Sequence, residues 1–282
     1  MRYPDKWRET CDPFALGYHA FRPLEVLGYP HAGNDVFHMR GIWEGREVTA
    51  YVKAARQKEA AIASEVAVLR QLRGGCCPTV IDFDVAERPF SVMLAMPGER
   101  LSTVVGENKD LISLEYMEVY GAALAKLHRL TIPARPVRDR RFFHAPPDEL
   151  LKKLGLMDLK ERLLRPPGDP VNCFCHGDFH YANVLWEGHR ISGILDFELA
   201  GYGDRDFDIA WAVFLRPGQR FLQTEAELEA FLRGYESVGC CDRERVRFYM
   251  ARCYIWFLGI CGEDERYCAF VRQQLKKWSE MK

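Results

Sequence analysis

The sequence has 282 residues, of which 48% are hydrophobic and 28% are charged, a balance typical of globular proteins. Its formal net charge of −1 excludes a general electrostatic attraction to nucleic acid or to an anionic membrane. The most apolar run, residues 254–261, is too short to cross a bilayer as a helix, and residues 1–7 contain no signal-peptide-like stretch. We therefore expect a soluble, cytoplasmic protein that binds neither nucleic acid nor a membrane.

Ten cysteines are spread along the chain, and no two of them are spaced as C-x-x-C. Cys173 and Cys175, followed by His176, form the one cluster with the composition of a metal site, and no matching second half follows it. Because a structural zinc site needs four converging ligands, we expect free thiols in a reducing compartment instead.

Alternating hydrophobic residues in the first hundred positions predict a small antiparallel sheet. The period changes over residues 57–72, where apolar residues fall at helical spacing, and Gly74 and Gly75 then mark the end of a helix. The predicted strands around this helix cover residues 24–27, 36–39, 41–43, 48–53, 79–83 and 90–95.

The chain becomes mainly helical after a break at Pro97 and Gly98. Strands before the break and helices after it favour an α+β fold over a parallel βαβ sheet. We therefore predict a β-rich N-terminal lobe of residues 1–97 and a mainly helical C-terminal lobe of residues 98–282. The predicted helices cover residues 114–130, two short segments between 148 and 164, and residues 224–237, 242–261 and 264–281.

One stretch combines the residue types that phosphoryl transfer needs. The motif is His176-Gly177-Asp178-x-x-x-x-Asn183, and Asp196-Phe197 comes after it. If the apolar segments 184–186 and 191–195 form a hairpin, Asp178, Asn183 and Asp196 meet at one edge. Two carboxylates and an amide are oxygen ligands that suit Mg²⁺ well and zinc poorly.

This motif is similar to the catalytic core of the aminoglycoside phosphotransferase and choline kinase superfamily, which has a bilobal, protein-kinase-like fold. The resemblance covers nearly the whole chain and implies a Mg²⁺-dependent kinase that moves the γ-phosphoryl group of ATP or GTP to a small-molecule hydroxyl. It also implies that Asp178 is the catalytic carboxylate and that Asn183 and Asp196 bind Mg²⁺. Each residue alone would also suit a turn or a loop cap, but the joint pattern favours the catalytic interpretation.

Lys53 closes a predicted strand, and Glu65 lies twelve residues later on the predicted helix. In kinase-like folds such a lysine holds the α- and β-phosphates, and the glutamate keeps its flexible head in place. We predict these roles for Lys53 and Glu65. Lys58 and Glu59 compete for them, and a surface lysine at a strand end is the simpler alternative.

Two backbone segments complete the predicted nucleotide site. The loop between the first two strands contains Gly33 and Asn34, whose N–H groups are predicted to approach the phosphates, although both residue types are also common in ordinary turns. The segment with Leu94 and Met96 resembles the interlobe hinge of the family, where backbone groups would contact adenine or guanine.

His176 and Asp208 are predicted to support the catalytic loop rather than to react. In the family pattern His176 shapes the loop, although its ordinary pKa near neutrality would also suit a general base. Asp208 resembles the buried aspartate that supports this loop from the start of a helix.

The first acceptor that we predict is an aminoglycoside, since Pro97-Gly98-Glu99-Arg100-Leu101 and Ala125-Lys126-Leu127-His128 resemble bacterial aminoglycoside phosphotransferases more than choline kinases. Carboxylates that line a pocket would favour such polycations. Candidate acids lie in residues 148–169 and 225–265, but helix caps explain several of them.

Two alternatives stay open, and we expect a monomer in each case. One is a metabolic kinase of the same fold that acts on choline, ethanolamine, a sugar or an amino alcohol. The other is a catalytically inactive nucleotide-binding module. A cage of aromatic rings would favour choline through cation–π contacts, and the candidates are Trp211, Tyr249, Tyr254 and Trp256.

Overall fold

The computed structural model describes residues 11–30, 33–56, 61–72 and 74–280, and the chain divides into two compact units. The first unit consists of Met1–Gly98 and Ser192–Ala200, and the second of Glu99–Ile191 and Gly201–Lys282. The predicted lobe boundary between residues 97 and 98 stays a prediction. It did not assign Ser192–Ala200 to the first unit. Lys58 and Glu59 lie outside the described residues.

The first unit is built on a five-stranded sheet in the order β1-β2-β3-β5-β4, in which every neighbouring pair is antiparallel. One face of the sheet packs into a core that contains Phe37, Met39 and Val52. The elements are β1 Arg22–Gly28, β2 Asp35–Trp43, β3 Arg46–Ala54, α1 Ile62–Leu69, β4 Val80–Asp84 and β5 Phe90–Leu94.

A tight hairpin joins β2 to β3 through Glu44 and Gly45. Both residues have positive φ, at 49° and 75°, which is the backbone of the turn that matches the twist of paired strands. This turn fixes the register of β3, so that Lys53 pairs with Val36 on one side and with Ser91 of β5 on the other. The segments predicted as two strands, 36–39 and 41–43, form one continuous strand, β2.

The second unit is mainly helical. Its strands are short: β6, β8 and β9 form one sheet in that order, and β7 pairs with β10 in another. Only Arg190 and Ile191 of β9 belong to the second unit, since the first unit includes Ser192–Ala200. The elements are β6 Glu99–Arg100, α2 Leu101–Val105, α3 Leu114–His128, α4 Asp148–Leu154, α5 Lys160–Leu164, β7 Asn172–Cys175, β8 Val184–Glu187, β9 Arg190–Ile194, β10 Gly201–Asp204, α6 Arg205–Val213, α7 Glu225–Glu236, α8 Arg243–Ile260 and α9 Glu265–Glu280.

The α+β prediction is confirmed, with an antiparallel sheet in the N-terminal part and helices in the C-terminal part. Sequence reasoning missed α2, β6, β7 and β10, which have two to five residues, too few to show a period. In the part of the chain that the structure describes, no helix is both long and apolar enough to cross a membrane.

Helices α3 and α7 approach each other backbone to backbone at Gly121 and Gly234. A Cβ atom at Gly121 would lie 2.0 Å from the carbonyl oxygen of Phe231, and one at Gly234 would lie 2.0 Å from that of Glu118. No methyl group fits at either distance, so these two glycines set the spacing of the helices.

We expect Gly121→Ala to lower the free energy of unfolding by about 1–3 kcal/mol, because the helices must separate to admit the methyl group. This loss would appear although alanine is the better helix former by ~1 kcal/mol. Urea denaturation measures it, with Gly239→Ala as the control, since the nearest atom to a Cβ there is 3.5 Å away. Equal midpoints for the two variants would contradict the close packing.

Candidate active site

The first unit holds a buried lysine among three carboxylates. Lys53, on β3, is 6% exposed. Its Nζ donates to Glu65 Oε2 at 3.0 Å and to Asp196 Oδ1 at 2.7 Å, and Glu198 Oε2 lies 2.9 Å away. Burial alone would lower the pKa of Lys53, but the negative charges of the carboxylates outweigh it, so the pKa lies above its ordinary value. Lys53 is therefore a fixed positive charge.

Glu65 links this lysine to the turn that follows β9. It is fully buried on α1, and its second oxygen, Oε1, accepts the backbone N–H of Phe197 at 3.0 Å. Both carboxylate oxygens thus have partners, which a buried carboxylate requires. The structure brings together Lys53 and Glu65, the pair that the sequence predicted; their role in nucleotide binding stays a prediction.

Asp196 has an unusual backbone for a residue other than glycine, with φ 64° and ψ 66°. Such a left-handed conformation costs energy and persists only where the surroundings enforce it. Two hydrogen bonds hold this conformation. Lys53 donates to the side chain of Asp196, and the backbone N–H of the next residue donates to Glu65. The side chain of Asp196 is 44% exposed, so the carboxylate is fixed in place and still reachable from solvent.

Sequence reasoning missed Glu198, the third carboxylate at Lys53. Its Oε2 accepts Asn34 Nδ2 at 2.8 Å, and its Oε1 accepts the backbone N–H of Ala61 at 3.2 Å. Glu198 therefore connects β3, the start of α1 and the loop before β2. The feature of the sequence that could have identified Glu198 is its position two residues after Asp196.

The predicted phosphate loop is only partly described, because His31 and Ala32 lie outside the described residues. Gly33 is exposed and has φ 91°, a conformation that side chains other than glycine rarely adopt. Asn34 is 8% exposed and directs its amide group to Glu198. Asn34 thus connects the loop to Glu198, which lies next to Lys53. Gly33 allows the backbone of the loop to adopt a positive φ.

The two predicted hinge residues differ in their backbone contacts. The N–H of Leu94, at the end of β5, donates to the carbonyl of Thr79 at 3.0 Å. Among the described residues, the N–H of Met96 has no hydrogen-bond partner. Met96 is therefore the better candidate of the two for donating a hydrogen bond to a base.

The second unit contains the loop that carries the His-Gly-Asp motif. The loop follows β7. Asp208 of α6 supports the loop by accepting hydrogen bonds from the N–H groups of His176 at 2.9 Å and Gly177 at 3.0 Å. The N–H of Asp178 in turn donates to Nδ1 of His176 at 3.2 Å. His176 and Asp208 are both buried, and both side chains accept hydrogen bonds from the backbone of this loop, in agreement with their predicted supporting roles.

Asp178 is held by several donors. Trp211 Nε1 donates to its Oδ1 at 2.7 Å, and Arg140 Nη1 lies 3.5 Å from the same oxygen. His180 Nε2 lies 3.5 Å from Oδ2. Burial would raise the pKa of Asp178, but the hydrogen bond and charge of His180, together with the Arg140 guanidinium, outweigh it and hold the pKa well below its ordinary value. Asp178 is therefore an ionised, oriented carboxylate.

Asn183 lies beside Asp178 in the turn before β8. Its Nδ2 donates to the backbone oxygen of Asp178 at 3.0 Å and to Oδ2 at 3.3 Å. These bonds use only the nitrogen of the amide, and none of the described residues donates a hydrogen bond to the Asn183 oxygen. The structure thus brings together Asp178 and Asn183 in the second unit, and Lys53, Glu65 and Asp196 in the first.

Comparison with known proteins identifies the family. Residues 32–249, most of the chain, match the phosphotransferase enzyme family. The chain belongs to this family. The resemblance to aminoglycoside phosphotransferases and choline kinases is thereby confirmed.

Solved phosphotransferases and kinases share this fold at low sequence identity. The macrolide 2′-phosphotransferase of Brachybacterium faecium is 18% identical with a TM-score of 0.57, over 94% of this chain and 96% of that chain. A thermostable mutant of aminoglycoside phosphotransferase APH(4)-Ia, in complex with ADP and hygromycin B, is 16% identical with a TM-score of 0.57, over 93% of each chain. An ethanolamine kinase of Plasmodium vivax is 14% identical with a TM-score of 0.53, over 92% of this chain and 81% of that chain.

A curated relative from Deinococcus radiodurans, named only as an uncharacterized protein, is 31% identical over 91 residues. The match spans 30% of this phosphotransferase-family chain and 27% of the relative. This relative therefore gives no indication of which substrate the protein uses.

Proposed function

We propose that this protein transfers the γ-phosphoryl group of ATP or GTP to a hydroxyl group of a small molecule. The observation that supports it most is Asp178, an ionised carboxylate that Trp211 and Arg140 hold on a loop supported by Asp208. Phosphoryl transfer depends on positioning and electrostatics more than on covalent chemistry, so a rigidly held carboxylate suits the task of orienting the attacking hydroxyl.

In this proposal Asp178 acts first by orientation. Its carboxylate accepts a hydrogen bond from the acceptor hydroxyl and aligns the oxygen lone pair with the phosphorus. Because the pKa of Asp178 lies below its ordinary value, it is a weak base before the reaction. The hydroxyl becomes acidic only as its oxygen bonds to phosphorus, and the proton then moves to Asp178.

On the donor side, Lys53 would contact the α- and β-phosphates, and Glu65 would keep its ammonium group in place. Backbone groups at Gly33 and Asn34 are assigned to the phosphates, and those at Leu94 and Met96 to the base. The family relatives support a nucleotide donor, since one of them was solved with ADP.

Asn183 and Asp196 are the proposed ligands of Mg²⁺. These oxygen ligands suit Mg²⁺. The hydrogen bonds of the Asn183 amide use its nitrogen and not its oxygen. Asp196 contacts Lys53 through Oδ1, and its side chain is 44% exposed. When bound, Mg²⁺ would neutralise negative charge on the phosphate oxygens.

An aminoglycoside is the first proposed acceptor, and relatives of this fold that were solved with aminoglycosides support it. A specific observation favours a second class, hydroxyl compounds with little or no positive charge. Several of the candidate acids already have partners: Glu225 and Glu229 pair with Arg247, and Asp148 pairs with Lys160. Glu227 is fully buried and caps α7 together with Thr224.

Three of the four rings predicted for a choline cage are buried, and the fourth, Trp256, is only partly buried. Trp211, Tyr249 and Tyr254 are at most 6% exposed, so their rings form part of the core of the second unit. The Trp211 ring also has the guanidinium groups of Arg140 and Arg216 at 4.2 Å and 4.9 Å from its centroid. Cations of the chain itself therefore occupy the position that a choline ammonium would need at this ring.

Nucleotide turnover in the presence of Mg²⁺ tests the proposal. The acceptors would be aminoglycosides, macrolides, choline, ethanolamine, sugars and amino alcohols, with ATP and GTP in separate series. We expect at least one acceptor to stimulate turnover in the wild type and none to do so in Asp178→Asn. Stimulation that survives in the variant would contradict the proposed role of Asp178, whereas tight nucleotide binding without any stimulation would favour the inactive module.

A further inference from the structure

Arg216 lies just after α6 and carries a positive charge with which no carboxylate of the described residues forms an ion pair. Its Nη2 donates to the backbone carbonyl of Trp211 at 2.7 Å, and its Nη1 donates to that of Phe214 at 3.5 Å. Both of these acceptors are neutral. Because a charge withdrawn from bulk water is normally paired with an opposite charge, Arg216 is a candidate to bind an anion.

The guanidinium group of Arg216 also has unused donors. Its two hydrogen bonds use one N–H of each Nη nitrogen, so the Nε–H and the second N–H of each Nη remain available. Its Cζ lies 4.2 Å from the centroid of the Phe214 ring and 4.9 Å from that of Trp211, and the residue is only partly buried. The group is therefore held in place and still reachable, and its planar donors fit the oxygens of a carboxylate or a phosphate.

The carboxylates of the catalytic loop region are engaged elsewhere. Asp178 accepts from Trp211 Nε1, and Arg140 Nη1 lies 3.5 Å from the same oxygen. Asp208 accepts two backbone N–H groups of the loop. Arg216 thus remains without an acidic partner, although it is connected to Asp178 through one residue: the carbonyl of Trp211 accepts from Arg216, and the indole N–H of Trp211 donates to Asp178.

A cavity of about 540 Å³ in the second unit has Arg216 in its wall. Two further arginines, Arg220 and Arg266, and two acids, Glu107 and Asp264, also line it. Glu107 pairs with Arg220, and Asp264 accepts a backbone N–H in the first turn of α9. Positive charge therefore exceeds negative charge in this lining, and the volume lies within the usual range for small-molecule sites.

We propose that the acceptor carries an oxyanion, either a carboxylate or a phosphate group, and that Arg216 binds this group through two parallel hydrogen bonds. The inference rests on the proposed phosphoryl transfer and narrows the second acceptor class to hydroxyl compounds with a negative charge. The oxyanion itself does not react, and it positions the acceptor while a hydroxyl group elsewhere on the same molecule faces Asp178. A polycation would instead bring positive charge next to a guanidinium that has no acid to offset it.

Binding of simple oxyanions tests this site without any turnover. The full-length chain is labelled with ¹⁵N in its tryptophans, and the indole N–H signals are followed by NMR while acetate or inorganic phosphate is added. Trp211→Phe identifies the signal of Trp211, whose ring contacts Arg216. We expect a saturable shift of this signal with at least one of the two oxyanions and none with chloride at the same ionic strength. No saturable shift with either oxyanion, or an equal shift with chloride, would overturn the proposal.

Variants of Arg216 then assign the binding to its side chain. Arg216→Gln should weaken oxyanion binding by about 10–100-fold, because it removes hydrogen bonds to a charged group. Arg165→Gln is the matched control, since it removes the same charge from an exposed arginine outside the cavity and should leave the affinity unchanged. Arg216→Lys keeps the charge without the planar fork and should bind with an intermediate affinity. The other indole signals show whether each variant is folded, and equal affinities of the two Gln variants would overturn the proposal.

Turnover with matched sugars separates this inference from the proposed transfer. The acceptors are glucuronate, glucose 6-phosphate, glucose and glucosamine. We expect kcat/KM to be higher for the two anionic sugars than for glucosamine in the wild type, and Arg216→Gln to remove this preference. Equal or higher values for glucosamine would overturn the inference and leave phosphoryl transfer standing. A saturable shift of the Trp211 signal without transfer to any acceptor would support the oxyanion site and contradict the transfer.

Discussion

Asp178→Asn is expected to reduce phosphoryl transfer by about 10²–10⁴-fold, the usual contribution of a positioned proton acceptor. The amide keeps the size of the side chain and an oxygen for the hydrogen bond of Trp211, but it cannot take the hydroxyl proton. Nucleotide affinity should change little, because Asp178 is assigned to the acceptor. Steady-state turnover and equilibrium binding of a fluorescent nucleotide measure the two properties on the same preparation.

The exposed acid Asp169 supplies the control for this variant. Asp169→Asn should leave turnover and nucleotide affinity unchanged. If Asp178→Asn lost nucleotide affinity together with turnover, Asp178 would be a structural residue or a metal ligand instead of the residue that orients the hydroxyl.

Lys53→Met is expected to affect both stability and activity. It removes the cation at the centre of three carboxylates and leaves fully buried Glu65 without its charged partner. Breaking a buried pair in this way costs about 3–5 kcal/mol of unfolding free energy. Nucleotide affinity and turnover should both fall sharply, because the α- and β-phosphates lose their proposed contact. Urea denaturation and nucleotide binding would be measured in parallel.

The double variant Lys53→Met with Glu65→Gln separates the two effects. Neutralising Glu65 removes the uncompensated charge, so we expect it to recover part of the lost stability while turnover stays low. If stability and turnover returned together, Lys53 would have only a structural role. If Lys53→Met were as stable as the wild type, the carboxylates around it would have to be protonated or solvated.

Much of the fold could be predicted because periodicity reports directly on burial. The alternation in β2 and the apolar stripe of α3 each reflect one buried face. Helix α3 was predicted within two residues of its bounds, and β2 was predicted as two segments that together cover residues 36–43. The short strands β7 and β10 were missed, because their pairing depends on contacts between residues far apart in the sequence.

The candidate site could be predicted where a motif fixes its residues. Asp178 and Asn183 are five residues apart, and Lys53 and Glu65 follow a known spacing in kinase-like folds. Arg140 and Trp211, which orient Asp178, were not predicted as its partners, because no local pattern connects them to it. The convergence of Asp178 and Asn183 with Asp196 stays a prediction.

A cluster of Cys173, Cys175 and His128, whose side-chain S and N atoms lie within 4.8 Å of one another, shows what local reasoning overlooked. The sequence suggested His176 as the partner of Cys173 and Cys175, because it is next in the chain. Side chains alternate along a strand, so Cys173 and Cys175 share one face while the next residue points elsewhere. The imidazole in the cluster belongs to His128, forty-five residues before Cys173, and only the packing of α3 against β7 reveals it.

The central claim is that a phosphoryl group moves from a nucleotide to a small-molecule hydroxyl, and product mass tests it most directly. Each acceptor would be incubated with the protein, Mg²⁺ and ATP or GTP that carries heavy oxygen in its γ-phosphoryl group. We predict that at least one acceptor gains the mass of one labelled phosphoryl group, with an equal amount of nucleoside diphosphate, and that Asp178→Asn yields no such product. Labelled inorganic phosphate alongside unchanged acceptors would contradict the claim and identify a nucleotide hydrolase instead.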